Sequence, residues 1–502
     1  MAYLTRQFVR AGLRPGNSDR TYVQWVPLTA VRVRAAGSYT AGGKTVELRS
    51  PEDFTISPGR AVPELVVRGS DVVFAGYGLV ASEHGWDAYR GLDLHGKTAM
   101  LLFGDPPASS AGDSARIRNL INTWQAQGLG SWRQRVQMAV QRGAAAVITV
   151  HETAAAGLSY EAIAGSGTRE RMQPTQASAD TTRPFPLAIM RLDVARRLIA
   201  AGGGDFERLK RQAAASVTFT PVPLGVEVNF RVSYSMGELR TRNVVARLDG
   251  SDPALAREYV LYTAHWDHLG RDEALAGDQT YNGAIDNAGG TAQLLEIAEA
   301  FTRLRPPPRR TILFMATAAE EQGLLGARYY ATHPLHPLEH TVAVINLDWF
   351  FPWGRTRDVL NIGHGNTTLD DVLTDAARHQ GRTVTPDPWA EQNYFLRSDQ
   401  FPFVERGIPA LFVGAGLDYT GRPADWGKSM MSEYEANHYH RVSDEIRPGW
   451  DYSGAAEDAR LLFDVGYRVA QSTTRPRWKT TTAYPAFRAA HAALLRRAGV
   501  SR

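Results

Sequence analysis

The 502-residue chain contains no cysteine. This excludes disulfide bonds, thiolate metal sites and cysteine nucleophiles, so any transition metal must be held by His, Asp and Glu. No apolar run approaches the roughly 20 residues that a membrane-spanning helix needs, and none is expected. The first residues also lack a basic segment followed by an apolar stretch, so no signal peptide is visible.

Lysine is scarce as well, since all but five of the 56 basic residues are arginine. The net charge is +4, but no basic stripe or nucleic-acid-binding motif accompanies it, so no nucleic-acid partner is predicted. An apolar fraction of 43% and an aromatic fraction of 10% exclude a mainly disordered chain. Neither a G-x-S-x-G nor a Walker sequence occurs, which leaves a serine hydrolase or P-loop NTPase without support.

At about 150 residues per domain, the length predicts two or three domains. Leu4, Phe8, Val9 and Leu13 repeat at helical spacing and predict a helix at the start of the chain. From about residue 216 onward, buried-type strands alternate with helical segments, which predicts an α/β sheet sandwiched by helices. The predicted strands are 259–265, 310–318, 341–348 and 410–414, and the predicted helices are 290–301, 323–332, 368–379, 454–471 and 485–497.

Polar side chains stand where the predicted strands end or where the first of these helices begins. They are His265, Asp267, Glu320, Glu321 and Asp348 after strands, and Asp286 in GAIDNAGG before the helix. In open α/β sheets, ligands bind beyond the carboxyl ends of the strands, so we expect these side chains to form one site.

These residue types are typical of a metal site with nitrogen and oxygen ligands. Adjacent Glu320 and Glu321 cannot easily both bind one ion, so one can ligate while the other accepts a proton. An Asp placed between two ions can bridge them, and two metals can generate a hydroxide nucleophile and polarise a carbonyl. His440 is the best candidate for a second His, and Asp444 four residues later can support it from outside the ligand set.

Six segments in one order carry a family resemblance: AHWDHLG, GAIDNAGG, AAEEQGLLGA, NLD, FLRSDQFPF and YHRVSDE. Together they resemble the co-catalytic dizinc aminopeptidases, the clan MH exopeptidases that include the bacterial leucyl aminopeptidases. The resemblance implies a three-layer α/β/α zinc exopeptidase domain with a mixed sheet. It also implies two zinc ions per chain and peptide substrates.

The resemblance further implies which residues bind the metals. His265 and Asp348 would bind one zinc, and Glu321 and His440 the other. Asp286 would bridge both ions, and its peptide bond to Asn287 is expected to be cis.

Four further residues are expected to serve catalysis. Glu320 is implied as the general base that takes a proton from the bridging water and later gives it to the leaving amine. Asp267 shares a face with His265 in an extended chain and is expected to orient its imidazole. Tyr439 and Arg397 match positions that hydrogen-bond the developing oxyanion or the substrate carbonyl in some relatives.

Three features depart from the family pattern or lie outside it. Gln400 stands in RSDQ where many relatives read RSDH, which leaves the metal ligands unchanged but alters a local substrate contact. His268 lies outside the matched pattern and is expected either around the ligand set or in solvent. The WFFPWG loop after Asp348 is interpreted as a packed aromatic cluster or as a hydrophobic wall for the substrate's first side chain.

The segment 72–102 resembles the protease-associated (PA) domain that many of these enzymes carry as an insert. We therefore predict a peptidase domain built from 1–55 and 216–502, with a mainly β PA domain inserted at 56–215. Family resemblance also implies export to the periplasm or the cell exterior.

The predicted function is hydrolysis of the N-terminal peptide bond of peptides by a hydroxide bridging two zinc ions, with Glu320 as the base. The alternatives are a carboxypeptidase or dipeptidase, and an amide or ester hydrolase acting at the same site. A receptor-like protein without activity is disfavoured because every residue of the metal set is present. The sequence assigns no oligomeric state.

Overall fold

The computed structural model describes residues 1–57, 62–81, 86–104, 132–156, 159–161, 163–164, 170–175, 185–215, 219–273, 275–389 and 392–499. The chain forms two compact units, one of Met1–Pro27 with Arg240–Arg502 and the other of Leu28–Leu239. In chain order the second unit is thus inserted into the first. Within the described residues, no helix has both the length and the apolar character of a membrane span.

The first unit is built on a mixed sheet. From one edge its strands are Thr383–Pro386, Asp358–Ile362, Ala410–Ala415, Thr341–Asn346, Tyr259–His265, Thr311–Thr317 and the end of Val222–Leu248, which also pairs with Arg14–Pro15. The four strands from Ala410–Ala415 to Thr311–Thr317 are parallel to one another. These strands are buried along nearly their whole length, which explains why they read as continuous apolar runs rather than as an alternating pattern.

Helices cover both faces of this sheet. One face packs against Ala2–Arg10, Gly290–Thr302, Leu369–His379 and Ser453–Gln471. The other face packs against Leu325–Thr332, Phe401–Val404, Trp426–Asn437 and Pro485–Arg497, with short 3-10 turns at Leu338–His340 and Tyr394–Leu396. Along the strand Tyr259–His265, Tyr262 points to the first core and Leu261 to the second. The predicted three-layer α/β/α class is confirmed.

The described residues of the second unit form a further sheet and four helices. Its sheet runs from the first part of Val222–Leu248 through Glu64–Phe74, Thr98–Leu102, Ala146–His151 and Leu187–Arg191 to Phe54–Ser57. A hairpin of Val23–Ala41 with Lys44–Arg49, the strand Arg171–Pro174 and the short pair Val80–Ala81 and Trp86–Asp87 complete the strands in the described part of this unit. The helices described there are Trp132–Gln141, Thr153–Ala156, Leu192–Ala201 and Phe206–Ala215. Residues 82–85 of the PA-like segment lie outside the described residues, and the PA assignment of 56–215 stays a prediction.

Strand register brings the predicted polar residues to one edge of the first sheet. His265 ends its strand directly beside Thr317, and Thr263 lies beside Asn346. Because these strands are parallel, the chain segments that follow them, with Glu320 and Asp348, leave the sheet at the same end. The turn Ala284–Gly289 precedes the helix Gly290–Thr302 and brings Asp286 to this edge.

Candidate metal centre

His265 and Asp348 face each other across the carboxyl edge of the sheet. Nε2 of His265 lies 3.2 Å from Oδ1 of Asp348 and 3.0 Å from Oδ1 of Asp286. The His265 side chain is only 1% exposed. One donor atom from each of these three residues lies within 4.8 Å of the others, which is a spacing suited to one shared cation.

Asp286 turns its second oxygen toward a second histidine. Nε2 of His440 lies 3.2 Å from Oδ2 of Asp286 and 3.0 Å from Oε2 of Glu321. The carboxylate of Asp286 therefore stands between two imidazoles, with a different oxygen toward each. This is the arrangement expected of a bridging ligand, and the Asp286–Asn287 peptide is cis, as the resemblance implied.

A third histidine enters the same cluster. Nδ1 of His268 lies 2.7 Å from Oε1 of Glu321, and their side chains are 5% and 7% exposed. His268, Asp286 and Glu321 also bring one donor atom each to within 4.8 Å of one another. Of the two positions expected for His268, the structure therefore shows the one around the ligand set and not the one in solvent.

Buried acid groups dominate the electrostatics of the cluster. Burial raises the pKa of Glu320 well above its usual value, and the charges of Asp348 and Glu321 raise it further. Burial also raises the pKa of Asp348. Burial and Asp286 oppose ionisation of Glu321, yet contacts with His268 and His440 lower its pKa. An excess of carboxyl groups in a buried site requires compensating positive charge.

The imidazoles respond in the opposite direction. Burial alone would lower the pKa of His265, but Asp348 and Asp286 raise it well above its usual value. Burial likewise opposes the charge of His440, whereas contacts with Asp286 and Glu321 raise its pKa to about 10. The carboxylates around His265 and His440 therefore favour a positive charge at the ring nitrogens of these two residues.

Unpartnered atoms show that the cluster fits metal ions. Nε2 of His265, Nε2 of His440 and Oε1 of Glu321 are buried and have no hydrogen-bond partner among the described residues. Buried polar atoms are rarely left without a partner, and a bound ion satisfies such atoms as well as a hydrogen bond does. Imidazole nitrogens and carboxylate oxygens are the ligands that zinc accepts when no thiolate is present.

The backbone around His265 fixes its ring. Nδ1 of His265 lies 2.7 Å from the main-chain oxygen of Asp267. The Asp267 carboxylate instead accepts the backbone N–H of Ala319 at 2.7 and 2.9 Å. Asp267 thus contacts the imidazole through its main chain and uses its side chain to hold the segment that leads to Glu320. The expected contact between the carboxylate and the imidazole is not present.

A buried polar network lies behind Asp348. The hydroxyl of Ser398 donates a hydrogen bond to Oδ2 of Asp348. Nδ2 of Asn346 lies 2.7 Å from Oγ of Ser398 and 2.8 Å from Oε1 of Gln400. Gln400 is fully buried and donates to the carbonyl of Phe395 at 2.7 Å. It therefore belongs to the hydrogen-bond network behind Asp348.

Two more polar residues hold the turn that carries Asp286. The carboxylate of Asp444 accepts the backbone N–H of Ile285 at 3.0 Å and that of Asp286 at 3.1 Å. The side chain of Asn287 donates to the carbonyl of Leu347 at 2.8 Å, next to Asp348. Asp444 was expected to support His440, but its contacts show that it supports the main chain at Asp286.

Tyr439 and Arg397 lie at the rim of the cluster. The Tyr439 ring stacks on His440 with centroids 3.8 Å apart. Burial raises the pKa of Tyr439 well above its usual value, and the charge of Arg397 partly opposes this. Arg397 itself is exposed and lies over the ring of Tyr394 at 5.5 Å. The roles of Tyr439 and Arg397 in substrate binding stay predictions.

The loop after Asp348 forms an aromatic cluster. Trp349 and Phe351 are 7% and 6% exposed and their rings pack edge to face at 5.5 Å. Phe351 also stacks on Trp353 at 4.6 Å. This packing favours the structural interpretation of the loop over a substrate wall at these positions.

Sequence reasoning missed several of these residues. It did not identify Ser398, Asn346 or Asp399 as parts of the site, although all three are buried beside its ligands. Burial raises the pKa of Asp399 to about 7, and the hydroxyl of Thr317 donates to its carboxylate. The only signal for this network was the polar run RSDQ at 397–400, between apolar residues on both sides.

Comparison with known proteins supports the family resemblance. Residues 243–463 match the family model of peptidase family M28, and this range contains the whole cluster. A probable zinc metalloprotease of Pyrenophora tritici-repentis is 40% identical over 210 residues, which is 35% of this chain and 47% of that protein. Aminopeptidase NAALADL1 of Mus musculus is 37% identical over 262 residues, covering 50% of this chain and 33% of that protein.

A solved structure shares the fold. An aminopeptidase from Aneurinibacillus sp. strain AM-1 superposes with a TM-score of 0.52 at 17% identity, covering 94% of this chain and 88% of that chain. This likeness confirms the predicted α/β architecture. The chain spans between a third and a half of the length of the two curated relatives named above. The predicted relationship to zinc peptidases is confirmed over the region that carries the cluster.

Proposed function

We propose that this protein is a dizinc aminopeptidase, which removes the N-terminal residue of peptides. One observation carries the proposal: the two oxygens of Asp286 face Nε2 of His265 and Nε2 of His440 at 3.0 and 3.2 Å. A single carboxylate between two imidazoles is suited to bridging two cations. Asp348 and Glu321 would then complete the ligands, one on each side.

When bound, the two zinc ions would activate a water molecule as the nucleophile and polarise the scissile carbonyl. The remaining chemistry belongs to Glu320, whose side chain lies in the cluster with His265 and Glu321. Its carboxylate would take the proton from the attacking water and deliver it to the amine nitrogen that leaves. In the metal-free site, burial raises the pKa of Glu320 well above its usual value.

The supporting residues restrict how the ligands move. Asp444 holds the main chain at Asp286, and Ser398 holds the free oxygen of Asp348. The main-chain oxygen of Asp267 fixes the ring of His265 and leaves its Nε2 directed at the carboxylates. Ligands that are held in place in this way bind metal more tightly, and loss of such partners typically weakens binding about 10- to 100-fold.

Action at the N-terminus is the part of the proposal that rests on the relatives. Relatives named aminopeptidases match both the sequence and the fold. Tyr439 and Arg397 lie beside His440 and Tyr394 at the rim, where a substrate carbonyl would be bound. Export of the protein and a PA domain at 56–215 are proposed on family resemblance alone.

A substrate panel tests the proposal. Purified protein loaded with zinc is assayed on aminoacyl amides, peptides with a blocked N-terminus, and dipeptides, each with and without chelator. Hydrolysis of free aminoacyl amides that chelator abolishes supports a metal-dependent aminopeptidase. Cleavage of the blocked substrates alone contradicts it and indicates a carboxypeptidase or another amide hydrolase at the same site.

A further inference from the structure

His268 occupies a place in the cluster that the family pattern does not assign. It lies three residues after His265, beyond the end of the strand Tyr259–His265. Its Nδ1 approaches Oε1 of Glu321 to 2.7 Å, whereas Nε2 of His440 faces the other oxygen, Oε2, at 3.0 Å. Glu321 is therefore enclosed by two imidazoles.

The close approach of His268 to Glu321 lacks hydrogen-bond geometry. Within the described part of the chain, neither ring nitrogen of His268 has a hydrogen-bond partner, and neither does Oε1 of Glu321. The same is true of Nε2 in His265 and His440. Buried nitrogens and oxygens that crowd together without hydrogen bonds are what a set of ligands around one ion looks like.

The surrounding chain leaves room for the ring of His268 at this position. Gly283 has a φ of 61°, and a Cβ there would stand 2.8 Å from Cγ of His268 and 2.3 Å from the carbonyl of Asp286. The ring also packs edge to face on His440 at 5.5 Å. A side chain larger than that of glycine at 283 would overlap the imidazole in this position.

We propose that His268 is a metal ligand, which shares with Glu321 and Asp286 the ion on the His440 side of the cluster. The inference rests on the proposed two-metal centre and adds one residue to it. The His440 side then has one more protein ligand than the His265 side. The two ions consequently bind with unequal affinity, and the first equivalent of metal occupies the side that contains His268.

A cysteine introduced at position 268 tests direct ligation. The natural chain contains no cysteine, so any thiolate signal from the variant comes from this position. Metal-free His268→Cys protein is titrated with Co²⁺ alone and followed by absorption spectroscopy. A thiolate bound to cobalt produces a charge-transfer band in the near ultraviolet, so we expect this band to grow with the first equivalent. His438→Cys is the matched control, because the His438 ring contacts Ser443 at 2.9 Å and Glu433 at 3.0 Å instead of the cluster.

A second variant tests the proposal if the cysteine variant does not fold. His268→Ala should bind one of its two Co²⁺ equivalents at least about tenfold more weakly than the natural protein. Unchanged affinity for both equivalents in His268→Ala overturns the proposal, as does a folded His268→Cys protein that binds two equivalents without the band. If the natural protein itself binds fewer than two equivalents, the proposed two-metal centre fails, which is a different outcome from either of these.

Discussion

The carboxylate of Asp444 holds Asp286 through the main chain: its Oδ2 accepts the backbone N–H of Asp286 at 3.1 Å, although 158 residues separate them. The neighbouring N–H of Ile285 bonds to the same carboxylate. A bridging ligand must keep two oxygens in fixed directions, and this contact leaves the side chain of Asp286 free to do so.

Replacement of Asp444 should therefore weaken the site without removing a ligand. Asp444→Ala leaves two backbone N–H groups without a partner, each at a cost of about 1–3 kcal/mol when buried. We expect a lower free energy of unfolding, measured with urea in chelator, and weaker metal binding. Glu445→Ala is the control, because Glu445 lies next in sequence and makes an exposed contact to Asn282. Equal effects of the two substitutions would contradict the role of Asp444.

Glu320→Gln should abolish turnover while the metals stay bound. The amide cannot accept the proton of the attacking water, and loss of a general base typically lowers kcat about 10²- to 10⁴-fold. Elemental analysis should still find two metals per chain. A variant that keeps a tenth or more of the natural kcat would show that another group is the base.

Asp286→Ala should lose the paired occupancy of the centre. The carboxylate lies between His265 and His440, and its removal takes a shared ligand from both sides. We expect fewer than two metals per chain by elemental analysis at equal free metal. Two tightly bound metals in this variant would rule out a bridging role.

Gly290→Ala should disturb the centre by steric overlap. A Cβ at this position would stand 2.0 Å from the carbonyl of Leu347 and 2.2 Å from Oδ1 of Asn287, the two groups that tie the Asp286 turn to the segment before Asp348. Overpacking of this kind typically costs about 1–3 kcal/mol. We expect a lower Tm, and Gly237→Ala is the control because a Cβ there meets no atom within 4 Å.

Stability of the metal-free protein should fall as the pH rises. Contacts with Asp286 and Glu321 overcome the effect of burial and raise the pKa of His440 from 6.5 to about 10. A histidine whose pKa is raised on folding stabilises the fold fully below the unfolded pKa, and this contribution is lost as the pH rises through the folded pKa. Burial raises the pKa of Asp399 from 3.8 to about 7. Loss of its proton therefore also lowers the stability of the fold as the pH rises.

Metal reverses this dependence, because histidine ligands bind only in their deprotonated form. The difference in Tm between zinc-loaded and metal-free protein should therefore grow from pH 6 to about pH 9. Thermal unfolding at several pH values measures both curves, with chelator in the metal-free series. A difference that is constant over this range would contradict the raised pKa of His440.

Local sequence patterns predicted the elements that position the ligands. The helix predicted at 290–301 is Gly290–Thr302, and the strand predicted at 259–265 matches its observed bounds. These elements are buried, and buried strands and amphipathic helices have strong apolar patterns. The strands Asp358–Ile362 and Thr383–Pro386 were not predicted, because both are short and their segments contain polar residues.

The positions of the side chains around the ligands could not be predicted from such sequence patterns. His268 lies against Glu321, and Gln400 is hydrogen-bonded to Asn346 in the network behind Asp348. These contacts form because the chain folds segments that are far apart in sequence onto one edge of the sheet. Hydrogen bonds between such segments leave no periodic trace in the sequence. The motifs indicated that a site exists, and the fold decides which polar residues support it.

The first helix of the chain belongs to a core that is completed only much later in the sequence. Leu4 and Phe8 of Ala2–Arg10 are buried with Leu294, Ile297 and Phe301 of Gly290–Thr302. At a synthesis rate of about 5–20 residues per second, roughly 15 to 60 seconds pass before that partner helix is made. During this time the apolar face of the first helix has no native partner, so the nascent chain must keep it shielded from aggregation while the whole second unit is synthesised.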